Sequence, residues 1–379
     1  AFAKVLLTAL GYDSEIEGLT GATWSVNTAA LAMEVGLDSG IEDLSWSSAL
    51  TREEAAQMAL NAIKAPLVAY EGGTSITVNG AEVSIGSGDA YYITSTLARE
   101  QRISEEQLTN SNLYTVEFGE RYFPNLRLNQ ETDEFERPSY TWVYENTELG
   151  TYVNYDMLEE TYTEDVCGRD LFELLGRSTI DKYDLTYYVD GEVNNTITAT
   201  SMNRGNTSDY STTGNGVLTQ VFIDHDTEEI IITSINTYLA QANADYNKNN
   251  ETLSLNVFLT DSTGTTRTVD SADVPNAVDV TEDQFVLVNM SGKDRTRLEV
   301  VKISDVEIMS DVTITKFSTA GNSDKVPSIF TKLTADGTEY KASQMALYDD
   351  DFLNLYDASL LTDMSYNVYL DQYGYAIGV

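Results

Sequence analysis

The side chains able to do chemistry are few and poorly matched for it. His225 is the only histidine. It stands between Asp224 and Asp226, and a Ser-His-Asp or Cys-His nucleophilic site would have to be assembled around it. The polar stretch from Asp224 to Glu228 instead predicts a solvated histidine in a hairpin turn. Cys167, the only cysteine, precedes a short helix whose N-terminus would lower a thiol pKa. No motif brings a base to it, so a buried, inert thiol is expected. There is no phosphate-binding Gly-rich loop, no HExxH and no Cys/His metal cluster. With 61 Asp and Glu in the chain, a glycosidase acid/base pair cannot be inferred from the presence of carboxylates. The runs Asp349-Asp350-Asp351 and Asp224, Asp226, Glu228, Glu229 offer hard oxygen ligands. Calcium is the cation they would suit, although no EF-hand loop is present; the other reading of each is a hydrated acidic face.

Composition narrows the classes further. The chain has 379 residues, which at roughly 100 to 200 residues per domain predicts two to four domains. Lys and Arg number 22 against 61 acidic residues, a formal charge of −39. Such a surface repels a phosphate backbone and excludes nucleic acid as a partner. A hydrophobic fraction of 42% with 24 tyrosines is too rich in packing residues for a disordered acidic chain, and too evenly interrupted for a transmembrane segment. One cysteine precludes an intrachain disulfide framework. No signal peptide is visible in Ala1 to Leu10, and both ends read as cut from a longer chain.

The elements that would position a site begin with a repeat. Ala1 to Leu10 aligns with Glu54 to Ile63 at an offset of 53 residues, predicting the same helix twice. In the second copy Thr51 and Glu54 form a capping box, Ala55, Met58, Ala59, Ala62 and Ile63 form an apolar face, and Pro66 ends the helix. Thr23 to Val35 reads as another amphipathic helix, with Trp24, Ala29, Leu31, Ala32 and Val35 in its apolar set and Gly36 as its stop.

The segments Trp24 to Ala30, Val35 to Gly40 and Leu50-Thr51-Arg52-Glu53-Glu54-Ala55 resemble the S-layer homology repeat of bacterial surface proteins. That module has a Trp-bearing helix, a Gly-containing loop and a helix opened by Thr-Arg-Ala-Glu. The resemblance covers residues 1–66: the end of one repeat and one full repeat, so that the chain starts inside a repeat array. It implies a helical bundle whose grooves bind a pyruvylated secondary cell-wall polysaccharide, with Arg52 gripping the pyruvyl carboxylate and Trp24 lining the groove. The sequence departs from the pattern at Glu53, at Trp46 and in the entry before Trp24. On the residues alone, Arg52 pairing with nearby carboxylates and Trp24 packing as core is the competing reading.

Beyond Pro66, Thr, Tyr, Val, Ile and Asn dominate and short alternating runs are separated by turns, predicting mainly antiparallel β modules, sandwich or barrel-like. Asn79-Gly80 marks one hairpin, between Ile76-Val78 and Ala81-Val83, and Asp224 to Glu228 marks another, between Val217-Ile223 and Glu229-Ile235. Further strands are expected at 140–144, 185–189, 253–259, 285–289, 298–303, 312–317 and 366–370. Arg169 to Leu175 reads as a short helix stopped by Gly176, and Tyr238 to Asn250 as a connection. Domain boundaries are placed near 66, 180 and 270, giving 67–180, 181–270 and 271–379 as three β-rich domains after the helical region.

Ser211 to Phe222 and Tyr369 to Val379 also resemble exposed parts of S-layer-repeat proteins of anaerobic Firmicutes. Together these resemblances imply an extracellular structural protein of the bacterial cell surface. Its partners would be cell-wall polysaccharide and further copies of itself, and it would assemble rather than turn over a substrate. An anchored adhesin or carbohydrate-binding protein, and a surface polysaccharide hydrolase, are the rival expectations.

Overall fold

A computed structural model describes residues 1–41, 44–70, 74–78, 81–85, 90–95, 114–259, 265–320, 329–347, 362 and 364–379. Strand is the dominant element, in several small sheets. The chain forms two compact units, residues 1–130 with 140–151, and residues 131–139 with 152–379. Strands Leu126–Thr132, Pro138–Tyr144 and Thr147–Val153 form a three-stranded sheet.

In the first unit the predicted helices are α1 (Phe2–Ala9), α2 (Trp24–Glu34) and α3 (Arg52–Lys64). Thr51 caps α3 by the expected reciprocal pair: its Oγ1 accepts the Glu54 N–H at 3.1 Å while Glu54 Oε2 accepts the Thr51 N–H at 2.6 Å, satisfying two donors that the helix itself leaves open. Gly36 (φ 77) closes α2, where the Leu37 N–H reaches back to the Ala32 carbonyl and the Gly36 N–H to that of Met33. This is the left-handed glycine stop that orphaned helix carbonyls select. α1 ends the same way at Gly11, with Tyr12 bonded to Leu7 and Gly11 to Thr8.

The two copies of the repeat are both helices, but the structure aligns them two residues from the sequence match. Ala3, Leu7, Leu10 and Tyr12 are buried, and so are Met58, Ala62, Ala65 and Leu67, an offset of 55; the helix ends Ala9 and Lys64 obey the same spacing. Similar residue types drive the sequence alignment, whereas burial follows where each helix stops.

The boundary expected at 66 is not a break. Directly after Pro66, Leu67 and Val68 enter the helical core beside Ala65, with Ala90, Val116 and Phe118 packed around them. Their backbone is tied in by Val68 N–H to the Leu10 carbonyl (3.0 Å), Leu67 N–H to Val116 (2.7 Å) and Phe118 N–H to Ala65 (2.9 Å). Val68–Tyr70 pairs antiparallel with Ala90–Tyr92. The hairpin expected around Asn79-Gly80 is present as Thr74–Val78 paired with Ala81–Ile85; its turn lies outside the described residues.

The second unit holds three modules. The first is a mixed sheet in the order Leu158–Tyr162, Leu218–Asp224, Glu229–Ile235, Asp184–Val189, Glu192–Val193, with α4 (Gly168–Lys182) supplying Leu171, Leu175 and Ile180 to its core. The expected stop at Gly176 is present: its backbone there (φ 75, ψ 157) is not helical, and a second short helix follows directly at an angle to the first. A boundary at 180 would cut this helix. Asp184–Val189 runs parallel to Glu229–Ile235; the other pairs are antiparallel.

The second module is a five-stranded antiparallel sheet curled into an open barrel, of Tyr238–Ala242, Thr252–Val257, Thr265–Asp270, Phe285–Ser291 and Glu299–Asp305, in the order third, second, first, fourth, fifth, with the third and fifth strands unpaired to each other. The helical turn Pro275–Asp279 sits against the second, third and fifth strands. Tyr238, Ala240, Leu253, Leu255, Val286 and Val288 point into one core. The expected boundary at 270 therefore falls at the end of a strand inside one barrel. The stretch from Tyr238, read from sequence as a connection, supplies the first strand: two alanines face inward where the wall is tight, and alanine carries no strand signal.

The third module repeats this plan and closes. Glu307–Val312 and Ile314–Ala320 are one bent strand, with a bulge at Asp311 (φ 57) at the corner. Its first half pairs with Tyr366–Leu370 and its second with Ile329–Ala335. Thr338–Leu347 pairs with Ile329–Ala335 and, in parallel, with Ala376–Gly378, which pairs with Tyr366–Leu370. The circuit 1-2-3-5-4-1 with a parallel seam is the topology of the OB barrel. Leu239 and Leu287 on the outside of the first barrel pack with Ile377 of the second, and Phe285 meets Tyr369 at 4.6 Å between ring centroids, which explains why these strands are apolar on both faces.

Gly11 is the tightest contact in the helical core. Its φ is +104 and a Cβ would stand 2.3 Å from the Val68 carbonyl oxygen. Gly11→Ala is therefore expected to destabilise the first unit by about 1–3 kcal/mol, measured as a lowered midpoint in urea with unchanged spectra of the folded state.

Candidate functional site

Trp24 and Arg52 each stand at the first position of a helix, α2 and α3. Trp24 is half-buried and Arg52 is exposed. α1 packs against both α2 and α3. Thr28, one turn beyond Trp24, is buried and donates its hydroxyl to the Trp24 carbonyl at 2.6 Å, fixing the start of that helix. Trp46 is 36% exposed, leaving an indole partly open to solvent on the loop that leads to Arg52.

The acidic turn is built to satisfy itself. Asp224 Oδ1 accepts the N–H groups of Asp226 (2.8 Å) and Thr227 (3.1 Å). Burial works against the Asp224 carboxylate, but these bonds win and hold its pKa below the usual range. Glu228 pairs with Lys182 and Glu229 accepts from the Thr227 hydroxyl. His225 is exposed, with Nδ1 3.1 Å from Tyr183 Oη. Cys167 is buried as the N-cap of α4, and its N–H donates to Asp170 Oδ2 at 2.9 Å. Asp349, Asp350 and Asp351 lie outside the described residues. Among the described residues no group of three or more His, Cys, Asp and Glu side chains is arranged to hold a metal ion, and no helix is long and apolar enough to cross a membrane.

No family model matches the chain, and no curated protein matches it.

The functional groups that sequence reasoning missed are buried carboxylates at the joints between modules. Asp190 closes the tight turn after Asp184–Val189 with φ 48 and is 3% exposed. Its Oδ1 accepts the Asn236 N–H at 2.8 Å, and its Oδ2 accepts Asn236 Nδ2 at 2.9 Å and Tyr238 Oη at 2.8 Å. Asn289 Nδ2 donates to the Asn236 carbonyl, and the Gly292 N–H to the Asp190 carbonyl, both at 2.8 Å. Three segments thus meet at this turn, one of them on the carboxylate itself. Burial pushes its pKa up to about 6 against the opposing pull of those donors, and Glu192 adds to the rise. The Asp190-Gly191 dipeptide announces a turn; nothing local announces that the turn is buried.

Around this joint Lys293 Nζ donates to the carbonyls of Thr132 (3.0 Å) and Asp133 (2.9 Å), and Arg295 pairs with Glu134 at 2.6 Å. All these contacts come from the loop between the fourth and fifth strands of the first barrel. The corresponding loop of the second barrel, Asp371 to Tyr375, meets the glycine loop at Gly214 to Gly216 of the first module.

Because the folded state raises the pKa of Asp190, its contribution to stability is fully present below about pH 4 and is lost as pH rises through about 6. The stability difference between the native chain and Asp190→Asn is expected to change, in the sense of a growing disadvantage for the native chain, by on the order of 3 kcal/mol between pH 4 and pH 7. Urea unfolding of both proteins across that range checks it; a constant difference would show that folding does not shift the pKa of Asp190.

Proposed function

We propose that the chain is part of an S-layer-type structural protein of the bacterial cell surface, anchored to cell-wall polysaccharide through its helical repeat and working by assembly with further copies of itself. The observation that carries the reading is the Thr51-Arg52-Glu53-Glu54 segment. It opens a reciprocally capped helix with Arg52 exposed at the first helical position, where a guanidinium is free to fork onto a ligand carboxylate. Trp24 at the head of α2 supplies the indole that such a groove uses against a sugar face.

The β portion supports assembly over ligand capture. Barrels of this topology bind oligosaccharides with the face of strands two and three and with loops that include the one between strands four and five. In both barrels here that loop is occupied by the neighbouring module. The modules are joined by buried polar networks and shared apolar contacts, a construction suited to bearing load.

Arg52→Ala is expected to weaken binding to purified cell walls carrying pyruvylated polysaccharide by roughly 10- to 100-fold, with no change in melting temperature, because Arg52 is exposed. Co-sedimentation with native walls and with walls stripped of the polysaccharide reads the effect. Undiminished binding by the variant would remove Arg52 from the anchor. Negative-stain electron microscopy is expected to show ordered sheets or filaments of the purified protein; dispersed particles in every condition would shift the reading to an anchored adhesin or hydrolase.

A further inference from the structure

The joint between the second barrel and the first module contains oxygen atoms with nothing to bind. Asp371 is 4% exposed. Its Oδ1 holds its own loop by accepting the N–H groups of Tyr373 (2.9 Å) and Tyr375 (3.0 Å). Its Oδ2 is buried and accepts no hydrogen bond. That atom is aimed at the backbone of Gly216, 2.2 Å from where a Cβ would stand, and the Ser343 hydroxyl lies 2.8 Å from the same point. Gly216 has φ +81, so both its conformation and the approach of the carboxylate require glycine.

The neighbouring Asn215 Oδ1 is also buried with no donor, while the Asn215 carbonyl accepts the Gln344 N–H at 2.7 Å. Burial raises the pKa of Asp371, and the groups that counter it are the N–H donors of its own loop and the nearby Ser343 hydroxyl, none of them cationic; the hydroxyl stands close to Oδ2 without hydrogen-bonding geometry. Buried acceptors without donors are rare because each forfeits its hydration, and an ion at the spot is one of the few explanations.

We propose that this joint is a binding site for a hard, oxygen-seeking cation of the calcium class, held by Asp371 Oδ2 with Ser343 Oγ and Asn215 Oδ1 as neutral ligands. A positive ion there neutralises the buried carboxylate and supplies the orphaned oxygens with a partner. One carboxylate among neutral oxygens gives a weak site, roughly the 10⁻⁴–10⁻³ M range of extracellular calcium modules. The acidic turn at Asp224 is a separate feature, in which Asp224 is engaged by the turn's own backbone and Glu228 by Lys182. The inference is independent of wall anchoring: it concerns how two modules of this chain are locked together.

The test uses the full chain, treated with chelator and titrated with calcium chloride. Melting temperature is read by calorimetry, and terbium luminescence sensitised by Tyr373 and Tyr375 reports occupancy of the site directly. The expected result is a saturable rise in melting temperature with calcium and a terbium signal. Both should be lost in Asp371→Asn, weakened at least tenfold in Asn215→Ala, and retained when Asp224 and Asp226 are both changed to Asn. If Asp371→Asn fails to fold, Asn215→Ala decides alone. No calcium response in the native chain, an equal response in the variants, or a response to sodium or magnesium but not calcium would each overturn the site. A stable Asp371→Asn with a native chain indifferent to calcium would mean that the carboxyl is simply held protonated.

Discussion

Asp190 accepts hydrogen bonds from Asn236 and Tyr238 in the interior, and the position of the second unit's β modules depends on this meeting. A buried carboxylate is tolerable only when its oxygens are met by well-aimed donors, and here the donors belong to the two-residue link and first strand that begin the next barrel. The turn that ends one hairpin therefore specifies where the following module starts and which way its first strand faces. Asn289 and Gly292 close the arrangement from the far side of that barrel. Tyr238 also reaches the apolar barrel core, so one side chain bonds the joint and fills the barrel.

Such joints also account for the use of a scarce resource. In a chain with 22 basic residues against 61 acidic ones, Lys293, Arg295 and Arg137 are engaged at internal contacts: the first two hold the turn at Thr132 to Glu136, and Arg137 pairs with Asp133 and bonds Gln220. Cations placed inside leave the exterior acidic. An acidic surface keeps copies apart in solution until counter-ions or partners offset the repulsion, which accords with the proposed role in a surface assembly.

What was legible in the sequence was local. The Thr51–Glu54 cap, the Gly36 stop and the hairpin on either side of the acidic turn follow from residues within a few positions of one another, and all are present. Gly176 is legible as a stop, but the second helix beyond it is not, because that helix depends on Ile180 finding the sheet core. The barrels were not legible: the 1-2-3-5-4 circuit is a matter of which distant strands meet, and the first strand at Tyr238 to Ala242 carries two alanines. Asp190 and Asp371 were hidden for a related reason. A carboxylate in an acidic chain looks like every other until its surroundings are known, and the partners that bury Asp371 are 155 residues away at Gly216.

The two barrels dock with the same loop, and both dock backwards onto chain that precedes them. That gives the molecule a polarity. Each barrel finds its binding surface already made by earlier residues, so the unit can be completed in order of synthesis without waiting for what comes later. Loss of the last module leaves the others with their joints intact, whereas loss of the first removes Asp190 from the joint of one barrel and Gly216 from that of the other. A chain built this way can be extended at its far end by further modules of the same design, each needing only a turn or a glycine loop behind it to hold.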